Sequence, residues 1–452
     1  MRRRPLHFVI RRPLWAAAAL ALLAASAAPV RAQSTDAPDA GPLAGFAQRL
    51  ADKGVVINST YLGEFAANPT GGQRQGAAYD DELNVVAEVD LDKLVHLHGG
   101  SLEVALTNRD GSSLAANKIN NSISVQEKYG DGQTWQLTFL TYSQSWLGGL
   151  VQTRVGRDDI TFHFAFQPGA CTYFQSFAIC NNPSVTLQDV NDGGSYWPEA
   201  VWGGLVQVNP TQRLYLKLGV YEDEPRQNPH VNHGFDFSGG NGNGEQIGGE
   251  VGYQTTQPGA VLPDKYAVGT IYDTGHYSAP FYSPETQSSR GLVYIQANKT
   301  VFRPTPGASQ GLYLLGGLYY GTAGESQRVR YEWQAAALYF GAIPGRPNEN
   351  IGFQVTGLHY NRALLDSLYQ QRLADGGDEP PDSNMTMAEL NYTVKLTSWA
   401  ALTPNLQYIW NPDGLGSLAY PQANLKNAFV IGAQIEINVD KLLGLRPRSG
   451  AP

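Results

Sequence analysis

Charged side chains recur at alternate positions within apolar segments of this chain. In the stretch from Ser101 to Arg109, Glu103 and Arg109 alternate with leucine and valine. Side chains alternate between the two faces of a β-strand, so such a segment has one apolar and one polar face. Charged groups on a shared polar face can bind a polar solute reversibly and without a nucleophile. The candidate solute-contacting residues are Glu88, Glu103, Arg109, Arg154, Lys217, Glu250, Glu389 and Lys395, with Arg157, Tyr142 and Trp146 close enough in sequence to contribute.

Other patterns that could carry chemistry are weaker. Gly307 to Gly311 matches the G-x-S-x-G pattern around Ser309, but that elbow must follow a strand and open a helix. Here it follows a proline-rich turn and opens a strand-like segment, which argues against an enzyme. The histidine pairs His96/His98 and His230/His233 lack an evident third ligand. We therefore expect no catalytic residue, no metal site and no cofactor.

The elements that must position these residues are β-strands. The chain has 50 Gly, 24 Tyr and 8 Trp, and beyond a short helix predicted within 41–53 no sustained helical period follows. Alternation of apolar and polar residues predicts sixteen strands. They are 55–66, 82–91, 101–109, 134–143, 148–156, 200–208, 212–221, 245–254, 265–273, 290–301, 309–321, 329–341, 350–360, 385–397, 401–410 and 429–440.

Spacing and strand length favour a transmembrane β-barrel over a soluble sandwich. Short turns alternate with long connections rich in Gly and Pro, such as 222–244 and 361–384. This asymmetry is typical of outer-membrane barrels, and strands of about ten residues suit a tilted membrane crossing. The sequence thus predicts an all-β fold: an outer-membrane barrel of about sixteen antiparallel strands with a short N-terminal helix. The best-patterned strand, 429–440, should pair with the first strand, place its apolar row against lipid and close the barrel.

The start of the chain predicts export. Residues 1–32 combine a basic region, an apolar stretch and a Val30-Arg31-Ala32 cleavage site, as in a secretory signal peptide. They contain six arginines and no acid, so the rest of the chain has 26 basic and 40 acidic residues, a formal net charge of −14. A nucleic-acid partner would need clustered basic residues, which are missing after the signal.

The two cysteines, Cys171 and Cys180, are close in sequence. In an exported protein such a pair predicts a disulfide that pins one loop. That loop, within the irregular stretch 157–199, could fold into the barrel as its constriction, or it could form an extracellular cap. Both arrangements fit the sequence.

Several segments together resemble the carbohydrate-selective porins of the OprB family. They are GEFAANPTGG (63–72), DLDKLVHLHGGSLEVALTNRDGSSL (90–114), RVGRDDITFHFAF (154–166), CTYFQSFAICNNP (171–183), LYLKLGVYEDEP (214–225), GFDFSGG (234–240), FGAIPGRPNENIGF (340–353) and LTPNLQYIWNPDG (402–414). The chain departs from the family at its C-terminus, where twelve residues follow Asp440 in place of the usual terminal aromatic residue. It also lacks the Trp-Gly-Gly usual near the mature N-terminus.

The resemblance implies an outer-membrane porin of a Gram-negative bacterium that passes sugars, such as glucose, by passive diffusion. Its partners would be small sugars, outer-membrane lipid and the barrel-assembly machinery, with the barrel a monomer or a homotrimer. A general or organic-acid-selective porin is the alternative, and an outer-membrane barrel hydrolase is less favoured. The expected organisation is a cleaved signal peptide (1–32), an N-terminal segment (33–54), the barrel (55–440) and a C-terminal tail (441–452).

Overall fold

Sixteen antiparallel strands form a closed barrel in the computed structural model, which describes residues 41–130, 133–179, 197–223, 229–240, 242–278 and 286–445. The predicted sixteen-stranded fold is confirmed. The strands are β1 (Val55–Thr70), β2 (Gly76–Asp90), β3 (Gly100–Gly111), β4 (Trp135–Trp146), β5 (Val151–Asp158), β6 (Val201–Val208), β7 (Leu214–Asp223), β8 (Gly244–Thr255), β9 (Asp264–Ser278), β10 (Thr286–Phe302), β11 (Gly311–Gly321), β12 (Val329–Phe340), β13 (Asn350–Tyr360), β14 (Asn384–Lys395), β15 (Ala400–Trp410) and β16 (Ala428–Asn438).

The last strand closes the barrel as the sequence predicts. β16 pairs with β1 from Thr60 opposite Asn438 to Thr70 opposite Phe429. Because every strand then has two neighbours, the barrel wall has no free edge, which is what a lipid environment requires. The pairing register also shows which side chains share a face, and this assigns each residue to the lumen or to the outer surface.

The two faces of the wall differ as expected for a barrel in lipid. On β7, Leu216 and Leu218 are 46% and 61% exposed on the outer surface, whereas Lys217 between them points into the lumen toward Glu250. On β9, Val268 is 60% exposed and its neighbour Ala267 is buried. Apolar side chains thus cover the outside, and polar ones are concentrated inside.

The two ends of the barrel differ in their connections. One end, which we call the short-turn end, carries tight turns such as 147–150 and 209–213, together with the two terminal segments. The other end carries most of the long connections. The α-helices are Ala44–Ala51, Leu91–Val95, Ala170–Tyr173, Pro229–Asn232, Arg362–Ala374 and Val439–Leu443; Ala115–Ile119 is a π-helical turn, and Leu147–Gly149 and Ile160–Phe162 are 3-10 turns. Among the described residues, none of these helices is long and apolar enough to cross a membrane.

Three segments refine the expected organisation. The predicted N-terminal helix lies at Ala44–Ala51. The helix Arg362–Ala374 lies in a connection that the sequence analysis treated as irregular, and its Leu364 and Leu368 are buried beneath it. The barrel strand ends at Asn438 rather than at Asp440, because Val439–Leu443 is helical, and the amide of Leu43 donates to the carbonyl of Leu443 at 2.9 Å. The predicted signal peptide lies outside the described residues.

Candidate functional site

A segment after β5 folds into the lumen and occupies much of it. This inward loop, residues 159–179, is the described first half of the connection to β6. The amide of Ala165 donates to the hydroxyl of Tyr294 on β10 at 2.9 Å, and Gln167 donates to the carbonyls of Ala297 and Gly316 at 3.2 and 3.0 Å. Of the two arrangements that the sequence left open, the described residues adopt the inward one.

Glu250 on β8 is one point at which the barrel holds the inward loop. Its carboxylate accepts hydrogen bonds from Tyr215 at 2.7 Å and Tyr294 at 2.8 Å. Lys217 and Lys265 lie 3.7 and 3.5 Å from it. The two ammonium groups donate onward to loop carbonyls, Lys217 to that of His163 at 3.1 Å and Lys265 to that of Phe166 at 2.7 Å. The buried Glu250 carboxylate therefore has two cationic partners, and both ammonium groups fix the loop backbone.

Glu389 on β14 holds the far end of the same loop. One carboxylate oxygen accepts from the amide of Gln175 at 3.0 Å, and the other accepts from the amide of Ser176 at 2.7 Å. Asn391 donates a third hydrogen bond at 2.8 Å. The Glu389 side chain is fully buried, so it satisfies loop amides that would otherwise lack a partner.

A second segment, residues 112–130 after β3, also enters the lumen. The amide of Lys128 donates to the Glu64 carboxylate at 3.1 Å, and Gln126 donates to the Glu64 carbonyl at 3.1 Å. From the opposite side, Gln407 donates to the carbonyl of Val125 at 2.9 Å. Glu127 is buried beside the Lys128 ammonium, 2.9 Å away, and burial raises the pKa of Glu127 to about 7 although Lys128 lowers it.

These contacts divide the lumen into two walls. We call the lumen face of β7–β15 the covered wall, because the inserted segments bury it: Gln296, Gln334 and Gln407 are 2%, 4% and 1% exposed. We call the half of the lumen face of β16 and β1–β5 that lies toward the short-turn end the open wall, because the other half, with Glu64, Glu82 and Arg109, is buried as well. The open wall keeps a row of partly exposed or exposed polar side chains, namely Asn58, Thr60, Asn84, Glu88, Glu103, Ser143, Arg154 and Glu436.

Arg154 is the centre of a charged network on the open wall. Its guanidinium donates to Glu103 at 3.0 Å and, through two nitrogens, to Asp158 at 3.0 and 3.2 Å. His163 of the inward loop contacts the same Asp158 carboxylate at 2.9 Å. Because a bidentate pair fixes the plane of a guanidinium, Arg154 is held in one orientation while it stays partly exposed.

Aromatic rings lie directly beside this network. Phe139, Phe162 and Trp197 pack against one another with ring centroids 5.3 to 5.6 Å apart. The Arg154 guanidinium lies 5.6 Å from the centroid of Phe139. The Trp197 indole donates to Glu82 at 2.8 Å, which connects the rings to the polar residues of β2.

Most of the predicted solute-contacting residues do face the lumen, but their surroundings differ. Glu88, Glu103 and Arg154 lie on the open wall, and Asn58 donates to Glu88 at 3.1 Å. Arg109 is only 5% exposed, and its guanidinium donates to Glu82 at 2.8 Å. Lys217, Glu250 and Glu389 lie on the covered wall in the contacts described above. Lys395 lies at its edge near the short-turn end, with its ammonium 4.0 Å from Glu436.

Three predicted positions are on the wrong face for the lumen. The register pairs Tyr142 with Leu102 and Val155, and Trp146 with Val151, all on the outer surface. Closeness in sequence to lumen-facing positions is a poor guide for Tyr142 and Trp146, because it ignores the alternation of faces. Arg157 lies three residues after Arg154, so the alternation of faces directs its side chain away from the lumen. In the strand register it lies opposite Trp202 on β6.

The structure brings further residues to these sites that are not among the predicted ones. They are Glu64, Glu82, Lys128, Trp197, Lys265, Tyr215 and Tyr294. Alternation from Glu88 would have indicated Glu82, and alternation along β9 would have indicated Lys265. No pattern within one strand indicates Lys128 or Trp197, because both lie in connections.

The remaining predicted features have simple outcomes. Cys171 lies in the inward loop, whereas Cys180 is outside the described residues, so the disulfide stays a prediction. Ser309 is exposed in the turn that leads directly into β11. Within the ranges that the structure describes, no group of three or more His, Cys, Asp or Glu side chains is placed to hold a metal ion.

Comparison with known proteins decides the family. The carbohydrate-selective porins of the OprB family match residues 74–439. This chain belongs to the OprB family. It is 29% identical to Porin B of Pseudomonas aeruginosa over 428 residues, which cover 88% of this chain and 90% of that protein. It is 25% identical to the putative porin QuiX of Acinetobacter baylyi, with 88% of this chain and 92% of that one covered.

The fold agrees with a solved structure of the OprB family. The high-pH structure of Pseudomonas putida OprB superposes with a TM-score of 0.76 at 27% identity, covering 86% of this chain and 95% of that one. Membership in the OprB family, together with the closed barrel, makes this chain an outer-membrane porin that acts as a channel for carbohydrates.

Proposed function

We propose that small sugars, monosaccharides such as glucose, cross the outer membrane of a Gram-negative bacterium through this barrel by passive diffusion. The passage lies between the inward loop and the open wall, since the covered wall is filled by its contacts. The observation that carries the proposal is the Arg154 network, which stays partly exposed beside the rings of Phe139 and Phe162.

The chemistry of a sugar fits this surface. A pyranose has hydroxyl groups around its ring edge and an apolar face formed by C–H bonds. The oriented guanidinium of Arg154 and the carboxylate of Glu103 exchange hydrogen bonds with hydroxyls, and an aromatic ring offers an apolar platform. The contacts are few and partly hydrated, so the solute binds weakly enough to leave, which a channel requires.

Swelling of liposomes that contain the purified protein tests the solute class. We expect glucose to enter faster than zwitterions and organic acids of the same size. Faster entry of the organic acids would instead indicate an acid-selective porin, and equal rates would indicate a general one. A measurable esterase activity that Ser309→Ala abolishes would contradict a purely channel function.

Replacement of Arg154 tests the site. Arg154→Ala should weaken the block of single-channel current by glucose about tenfold, equivalent to about 1.4 kcal/mol, the size of one hydrogen bond to a charged group. Arg362→Ala is the matched control, because Arg362 is 92% exposed on a helix in the connection between β13 and β14. Equal glucose block in both variants would contradict a role for Arg154.

We further propose that the barrel-assembly machinery inserts this chain after cleavage of residues 1–32, and that Cys171 and Cys180 form a disulfide. N-terminal sequencing of the mature protein tests the cleavage site. A mass measurement with and without reduction tests the disulfide. Light scattering in detergent distinguishes a monomer from a homotrimer.

A further inference from the structure

Phe164 of the inward loop lies in a gap of the covered wall that two glycines create. Gly219 on β7 and Gly248 on β8 are directly paired, and both face the lumen. Phe164 is fully buried, in a cluster with Tyr221, Ile271 and Tyr294. We call Gly219 and Gly248 the glycine socket.

The fit of the ring leaves no space for a side chain on either glycine. A Cβ atom added at Gly248 would lie 2.8 Å from both Cγ and Cδ2 of Phe164, and one at Gly219 would lie 2.8 Å from Cε2. Carbon atoms in packed interiors do not approach so closely, so the ring would have to move. Neither glycine has a positive φ, so space rather than backbone conformation requires glycine at both positions.

The position of Phe164 controls the part of the loop that faces the open wall. Its neighbours Phe162 and His163 reach the site: Phe162 contacts Phe139, and His163 contacts Asp158, which orients Arg154. On the other side, the amide of Ala165 is fixed by Tyr294. A shift of the ring out of its gap would therefore move the loop surface toward the open wall.

We propose that the glycine socket determines the solute size limit of this porin. By seating Phe164 it sets how far Phe162 and His163 extend into the lumen, and hence the width of the passage beside them. A side chain in the socket narrows the passage, and loss of the ring widens it. The inference deepens the proposed function and rests on the same passage.

The test compares Gly248→Ala with Gly249→Ala in planar bilayers and liposomes. Gly249 is the next residue of the same strand, faces outward, and its added Cβ would meet only Thr270 at 3.8 Å. We expect Gly248→Ala to lower KCl conductance about twofold or more, since pore width limits conduction. It should also slow entry of a disaccharide more than entry of glucose, while Gly249→Ala behaves as wild type. Identical conductance and identical sugar ratios in the two variants would overturn the proposal.

A second variant covers the case in which Gly248→Ala does not assemble. Phe164→Ala keeps both glycines and empties the socket, so we expect a trisaccharide to enter faster relative to glucose than in wild type. An unchanged ratio would also overturn the proposal. KCl conductance does not depend on sugars. A wild-type channel that conducts KCl but excludes every sugar would therefore contradict the proposed function. The KCl conductances of Gly248→Ala and Gly249→Ala would still test the role of the glycine socket.

Discussion

The two walls of the lumen carry similar charged residues and use them differently. On the covered wall, Glu250, Lys265 and Glu389 are almost completely buried, and their partners include backbone groups of the inward loop or residues that bind it. On the open wall, Glu88 and Glu103 keep contact with solvent and pair with Asn58 and Arg154. The same alternation of faces therefore produces a supporting surface on one side and a solute-facing surface on the other.

The difference follows from what the inward loop requires. A segment of irregular backbone inside a barrel has amides and carbonyls that water no longer reaches, and each must find a partner. Charged side chains of the covered wall, together with Glu64 on β1, provide these partners. A charged residue on a lumen face is therefore evidence of solute contact only where no inserted backbone uses it.

The sharpest test of the comparison replaces a lysine that holds the inward loop and a lysine at the exposed edge of the same wall. Lys265→Met removes one of the two ammonium groups beside the buried Glu250 carboxylate and the donor to the Phe166 carbonyl. Because Lys217 remains beside Glu250, we expect the free energy of unfolding to fall by about 3 kcal/mol, the lower value for a broken buried ion pair. Lys395→Met is the control: Lys395 is 44% exposed and 4.0 Å from Glu436, so a change of less than about 1 kcal/mol is expected. Denaturant unfolding in detergent measures both, and similar losses would contradict the distinction between lumen charges that hold the inward loop and lumen charges that face solvent.

Replacing Glu389 or Glu88 by glutamine tests more specifically which carboxylate holds the inward loop, with a smaller expected loss of stability. Glu389→Gln can still accept one loop amide, but its own amide group faces the other, so one buried donor loses its partner at a cost of about 1–3 kcal/mol. We expect a less firmly held loop, seen as larger fluctuations of the open-channel current and faster proteolysis near Gln175.

The control for this effect is Glu88→Gln. The change in charge is identical, but Glu88 is exposed and accepts only from Asn58 among its described hydrogen bonds. Current fluctuations should stay at the wild-type level. If Glu88→Gln loosens the loop as much as Glu389→Gln does, the loop is not held by Glu389.

The wall strands could be predicted from the sequence because each carries its own signal. An alternating segment such as Phe429 to Asn438 shows its outer and inner faces without reference to any other part of the chain. The same rule, applied strictly, would have placed Arg157 opposite Arg154 and Tyr142 with its apolar neighbour Leu140. These errors came from relaxing the alternation.

The sequence pattern could not predict whether a given lumen residue holds the inward loop or contacts the solute. Glu389 and Gln175 are 214 residues apart, and the carboxylate of one meets the amide of the other only after the barrel closes and the loop enters. Likewise, Gly248 taken alone only weakens the predicted strand. That it leaves space for the Phe164 ring follows only from the packing of the loop against β8. Long-range packing, rather than local pattern, separates anchors from solute contacts.

The smallest effect that we expect concerns charge on the open wall alone. Glu103→Gln removes one of the two carboxylates that hold Arg154, whose bidentate contact with Asp158 remains. Stability should change by less than about 1 kcal/mol, as for other partly exposed ion pairs. The positive charge of Arg154 is then less compensated, so the reversal potential in a KCl gradient should shift toward anion selectivity. Asp366→Asn removes the carboxylate beside Arg362 on the exposed face of the helix Arg362–Ala374, and should cause no shift. Equal reversal potentials in both variants would mean that the open wall does not face the conducting passage.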